Sequence, residues 1–244
     1  MMKKLVLFCF SILFCLAQAK ANDYNEALDM IHRGDFEAAL AELKPLVELG
    51  LPIALYQQGN MYANGYGVSK DLNKAFEFYK RAADRGIPEA QFALAQMYFN
   101  GKGVKKDNQK GFEYTRRAAE KGLAAAQFNM GVLYQNGDYT TQSYEKAAIW
   151  YRDSAMQNYA LAQFNLALLY YDGLGVSKDI EMSYVWNRIA AFNGYAPAEK
   201  SMTLDAKELS RDQIKRGRER ADELYLKIAP RTDDFTPMEW SHNP

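Results

Sequence analysis

The sequence predicts an all-α fold, an α-solenoid of stacked antiparallel helix pairs, on three observations. A shift of 36 residues aligns four consecutive blocks, 51–86, 87–122, 123–158 and 159–194, without a gap. Columns of like residues then recur: Ala54, Ala90, Ala126 and Ala162, with Ala198 one period on; Tyr62, Tyr98, Tyr134 and Tyr170; and the all-aromatic set Phe78, Tyr114, Trp150 and Trp186. Between two helical stretches of each block stands a glycine, at Gly65, Gly101, Gly137 and Gly173. A period of this length marks stacked repeats, each burying its apolar face on the next.

Ahead of the blocks, Lys3 and Lys4 precede the apolar run "LVLFCFSILFCL", which ends at Leu16. A spanning helix needs roughly 20 apolar residues, so this 12-residue run is too short. A basic start, a short apolar core and small residues at Ala17, Ala19 and Ala21 predict a signal peptide over 1–21, cleaved after Ala19 or Ala21. Export to the periplasm or beyond follows. Cys9 and Cys15 both fall inside the signal, and Phe14 before Cys15 argues against a lipid anchor. Loss of Lys3, Lys4 and Lys20 leaves 27 basic against 30 acidic residues, a net charge of −3. That balance speaks against nucleic-acid binding, which needs dense positive charge, and no second apolar run suggests membrane insertion.

Residues 22–50 read as a degenerate helix pair, with Asp35 as an N-cap and Pro45 kinking the second helix. Each block then reads as helix, loop, helix. In the second, Pro88 suits a first helical turn, and Ala90, Leu94, Met97 and Tyr98 follow at helical spacing. Gly101 ends that helix, so Gly65, Gly101 and Gly173 should have positive φ. Asp107 starts the next helix as its N-cap, matched by Asp71, Ser143 and Asp179. Lys74, Lys110 and Lys146 follow three residues later, with Met182 in the fourth block. The third block has Asp138-Tyr139-Thr140 where the others have x-Gly-Val, which predicts a different loop path. Helices over 195–229 should cap the array, with a Ser210–Gln213 capping box and a Leu209–Ile214 staple, and 230–244 reads as a flexible tail.

The loops "NGYGVSKD", "NGKGVKKD" and "DGLGVSKD" resemble phosphate-binding glycine motifs only superficially. A dinucleotide fingerprint needs a preceding strand and a third glycine. Here Gly65 and Gly67 follow a helix, and Lys70 occupies the third position. With the "A-Q-F" start, the "Y-x-x-G-x-G-V" loop and the "K-A-x-x-x-Y-x-x-A-A-x-x-G" second helix, the 36-residue period resembles the Sel1-like repeat family over 51–194. The resemblance implies relatives of tetratricopeptide repeats wound as a right-handed superhelix, the first helix of each pair lining a concave surface. Cysteine-rich members, associated with penicillin binding or β-lactam hydrolysis, carry paired cysteines that this chain lacks. Asn187, where earlier blocks have Tyr79, Thr115 and Tyr151, departs from the pattern.

No catalytic, cofactor or metal site emerges from the residues. Ser143-x-x-Lys146 matches a serine β-lactamase motif, but both residues sit in repeat columns and no S-D-N or K-T-G accompanies them. Arg33-Gly34-Asp35 reads as a turn and N-cap, and His32 and His242 are the only histidines. The basic stretch "RDQIKRGRER" is interleaved with acids and reads as a solvated capping helix.

The candidate binding surface comes from helical geometry. At about 100° per residue, Leu94, Met97 and Tyr98 fall within about 80° of Ala90, and Phe92, Gln96 and Phe99 lie opposite. Repeating those columns collects Tyr56, Phe92, Phe128 and Phe164; Asn60 and Gln96; Phe99 and Tyr171; with Asn129 and Asn165 at the edge. Rings beside amides suit an extended peptide, whose backbone the amides can bond. Equally, the rings could pack between adjacent first helices and complete the core. With helices about 8–10 Å apart, four repeats would give a groove roughly 30–40 Å long, enough for about ten extended residues. The predicted function is a non-catalytic scaffold binding an unidentified protein or extended peptide. The alternatives are an enzyme acting on cell-wall peptides or β-lactams and a secreted factor binding a host protein.

Overall fold

The computed structural model describes residues 22–228, which form twelve helices and no strand. The expected signal peptide and tail lie outside the described residues. Two compact units divide the chain, 1–114 and 115–244, and the division falls inside α6 (Asn108–Glu120).

In the first unit, α1 (22–33) is followed by α2 (Phe36–Glu48), α3 (Pro52–Asn64), α4 (Leu72–Asp84) and α5 (Pro88–Asn100). Helix α3 packs on α4 and α4 on α5, around Leu55, Ala75, Tyr79, Ala82, Ala90 and Leu94. A second cluster, with Ala39, Leu43, Leu46 and Ala54, joins α2 to α3. The other unit runs through α7 (Ala124–Asn136), α8 (Tyr144–Ala155), α9 (Ala160–Asp172), α10 (Ile180–Phe192), α11 (Ala196–Glu208) and α12 (Arg211–Ile228). There α7 pairs with α8 and α9 with α10, while α11 and α12 both pack on α10. The alanine column is fully buried at Ala54, Ala90, Ala126, Ala162 and Ala198. A methyl side chain there lets neighbouring axes approach closely, since interaxial distance follows the side chains at the contact.

Local chemistry sets the helix ends. Gly65, Gly101, Gly137 and Gly173 are left-handed C-caps with φ of 79°, 65°, 77° and 72°. The carboxylates of Asp71, Asp107 and Asp179 and the Ser143 hydroxyl accept first-turn N–H groups from Lys74, Lys110, Met182 and Lys146 at 2.9–3.2 Å. Ser210 and Gln213 form the reciprocal capping box, each backbone N–H donating to the other's side chain at 2.9 and 3.3 Å.

Two expectations are corrected. Asp35 precedes α2 but makes no side-chain cap; its carboxylate pairs with Arg33 at 3.6 Å instead. The third loop keeps the path of its relatives. Gly137 and Asp138 N–H groups both donate to Leu133 O and Ser143 N–H to Tyr134 O, as Gly65, Tyr66 and Asp71 do to Met61 O and Tyr62 O. Tyr139 takes a φ of 62° where other blocks have Gly67, Gly103 and Gly175 at 66–69°. The hydrogen bonds at both ends of the loop dictate the path, and a non-glycine residue accepts a strain of about 1–2 kcal/mol to follow it.

Candidate functional site

The first-helix face of the 1–114 unit is built on α3 and α5. Gly59 on α3 leaves room for the Tyr79 ring from α4: a Cβ at Gly59 would lie 2.6 Å from Tyr79 Cδ1. The ring therefore crosses α3, and its hydroxyl donates to Asn60 Oδ1 at 2.8 Å. Asn60 Nδ2 donates in turn to Gln57 Oε1 at 2.9 Å. Burial pushes the Tyr79 phenol well above its ordinary value, so it stays a donor at any physiological pH. Tyr56 lies against the same ring, centroids 5.8 Å apart. Phe92 is half-buried and Gln96 exposed. Phe99 packs on Gly111, whose missing side chain admits the ring as Gly59 admits Tyr79. Beside these residues lies a cavity of about 190 Å³, lined by Tyr79, Gln96, Met97, Asn100 and Lys102 among others.

In the 115–244 unit the device recurs. Tyr151 from α8 lies over Gly131 of α7, where a Cβ would be 2.5 Å from its ring, and its hydroxyl donates to Gln135 Oε1 at 2.8 Å. Phe128 sits between Tyr151 and Tyr159, at 5.8 and 5.4 Å, and Phe164 is 5.1 Å from Tyr195. Asn165 Nδ2 donates to Leu161 O of its own helix at 2.8 Å, while Asn129 is half-buried. Tyr171 donates its hydroxyl to Glu208 Oε1 at 2.6 Å. Tyr56, Phe92, Phe128 and Phe164 are all half-buried. Tyr98 is in the core as expected, but Tyr134 is only half-buried; on α7 it shares the apolar side with Met130, which takes the innermost place.

Sequence reasoning missed two features. The Tyr79 and Tyr151 hydroxyls reach the first-helix face from second helices, and the signal for it was a glycine twenty positions earlier, Gly59 and Gly131. In the last block the pair is Ala167 and Asn187, and the small amide turns elsewhere. Asn187 Nδ2 and Ser183 Oγ both donate to Asp205 Oδ2, at 2.8 and 2.9 Å. Asp205 is 2% exposed, and desolvation raises its pKa against the lowering effect of these two bonds.

The other sequence motifs resolve structurally. Ser143 Oγ accepts from Lys146 N and donates to Glu145 Oε2 at 2.9 Å, while Lys146 Nζ lies 5.1 Å above the Tyr134 ring. No group of three or more His, Cys, Asp or Glu residues among the described residues could hold a metal. No described helix is long and apolar enough to cross a membrane.

The family model for the Sel1 repeat matches 52–87, 88–123, 124–159 and 160–195, one residue later than the blocks laid out above. Among solved structures the chain is similar to a Sel1 repeat protein of Oxalobacter formigenes, with 31% identity and a TM-score of 0.70 over 84% of this chain and 83% of that one. It is also similar to c5321, a protective antigen present in uropathogenic Escherichia coli strains with an SLR fold: 27% identity, TM-score 0.67 and 90% of this chain. The match spans 56% of that protein. A Sel1 repeat protein of Klebsiella pneumoniae, 16% identical with a TM-score of 0.50 over 77% of this chain and 93% of that one, shares the fold alone. No curated protein matches the chain.

Proposed function

The chain belongs to the Sel1 repeat family, and from that premise we propose a non-catalytic scaffold of the cell envelope or secreted space that holds a protein or extended peptide on its first-helix face. Sel1 repeats generally mediate protein interaction. The observation that carries this reading is the cavity beside Gln96: it lies beside a column residue of that face, and the buried Tyr79 ring, the apolar side chains of Leu72 and Met97 and the exposed Gln96 amide border it. Such a surface offers apolar contact and backbone bonding together. The non-catalytic reading is supported by the use of Ser143 as a helix cap and of Lys146 as a ring contact. Export is supported by the basic start and short apolar run at the N-terminus.

The test is capture from envelope extract on the immobilised chain. A protein retained by the wild type and by Glu77→Gln on α4, but at least tenfold less by Gln96→Arg, supports the face. That loss corresponds to about 1.4 kcal/mol. Capture lost with Glu77→Gln and unchanged with Gln96→Arg would place the working surface on the second helices. Fractionation of cells making the tagged chain checks the compartment, and retention in the cytoplasm would reject export.

A further inference from the structure

In the first three repeats the lysine three residues past the N-cap covers the tyrosine of its own repeat. Lys74 Nζ lies 5.1 Å from the Tyr62 centroid, Lys110 5.4 Å from Tyr98 and Lys146 5.1 Å from Tyr134. The fourth repeat has Met182 in that column, beside Tyr170 and Trp186. There the structure has a cavity of about 290 Å³ instead of a covered ring. Met182 and Trp186 are buried, Tyr170 and Leu224 half-buried. The indole Nε1–H of Trp186 has no acceptor among the described residues, although Trp186 is only 3% exposed. Charge at the rim comes from outside the repeat: Arg152 of α8, and Arg220 and Lys227 of α12, with Glu223 the one acid. Arg152 is held in place by donating to the Tyr170 hydroxyl at 3.2 Å. Arg220 and Lys227 make no ion pair or hydrogen bond among the described residues.

We propose that this cavity is a binding site for a small organic anion with an apolar or aromatic body, such as an aromatic carboxylate. Three cations around one acid give an excess of positive charge that attracts an anion. Met182, Leu224 and the rings of Tyr170 and Trp186 supply the apolar contact, and the buried indole N–H of Trp186 is the donor assigned to the ligand. A volume near the lower end for ligand pockets suits one ring with its acid group. The site exists because the repeat's own cation is missing, which leaves the space over Tyr170 open, and the three imported cations face a single acid, Glu223. This inference is independent of the first-helix face.

The test is a titration of the full chain with phenylacetate and its neutral isostere phenylacetamide, followed by the NMR signal of the Trp186 indole N–H, assigned through Trp186→Phe. Phenylacetate should move that signal saturably, phenylacetamide should bind at least tenfold more weakly, and added salt should weaken only the acid. Arg220→Gln/Lys227→Gln, both on exposed positions, should lower affinity at least tenfold with an unchanged thermal melt. Met182→Lys, which restores the residue of the other repeats, should abolish binding by covering Tyr170. Equal response to acid and amide, no saturable shift, or full affinity in either variant would overturn the proposal.

Discussion

Gly101 and Gly103 stand two residues apart in one loop and are held by different constraints. Gly101 has a φ of 65°, and a Cβ there would lie 3.3 Å from the Lys106 Cβ, a contact that an adjustment of a few tenths of an ångström relieves. Gly103 has a φ of 69°, and its Cβ would lie 2.7 Å from Leu72 C at the start of α4, where backbone cannot give way. Gly175 meets the Tyr144 backbone in the same manner at the start of α8. Gly101→Ala should therefore cost about 1 kcal/mol, from the left-handed conformation alone. Gly103→Ala should cost about 2–4 kcal/mol, because overpacking adds to that strain. Denaturant melts of the two variants check the order, and equal losses would reject the close approach to α4.

Helix α11 is tied to α10 through a charge. The Asp205 carboxylate accepts from Ser183 and Asn187, makes no ion pair among the described residues, and has the negative charge of Glu208 nearby. Desolvation raises its pKa from the ordinary 3.8. With a folded pKa above the unfolded one, the native state binds the proton more tightly. The stabilisation is then full below about 3.8 and is lost as pH rises through the folded value. Asp205→Asn keeps an acceptor for both donors and removes the buried charge. Its melting temperature should exceed the wild type's at pH 7, and the difference should shrink as pH is lowered towards 4. A difference independent of pH would show that Asp205 is not the titrating group.

For the whole molecule, the repeat period is a statement about which parts can be removed. Helices α7 and α8 pack on one another and α8 packs on α9, with each contact made between neighbours in sequence. Removing 124–159 as a unit takes out one pair and joins Leu123 to Ala160, which lies one period on from Ala124. The shortened chain should melt cooperatively, since stability in such arrays is a sum of repeat and neighbour terms. Removing 124–141 alone would strip α8 of its mate and expose Ala147, Ala148, Tyr151 and Ala155, all 2% exposed or less in the native chain. Circular dichroism of that variant should show loss of the cooperative transition. Equal melts for both deletions would reject the repeat as the unit of stability.

The period, the helix pairs, the left-handed glycines and the Asp or Ser caps were legible in the sequence by itself. They are settled within a few residues, by hydrogen bonds between near neighbours that depend on residue type. Even the third loop was decided locally, by its end bonds, although Tyr139 concealed the likeness. The candidate face was legible as a set of columns, while the depth of its rings was not. Only tertiary structure decided that Tyr79 and Tyr151 lend hydroxyls to that face, that Asp205 is buried with Asn187, and that Arg152, Arg220 and Lys227 surround Trp186. Each of those arrangements joins side chains from helices 16 to 75 residues apart in sequence. Their meeting depends on which neighbour leaves space and which fills it: glycine at 59 and 131 admits a ring, and methionine at 182 leaves one uncovered.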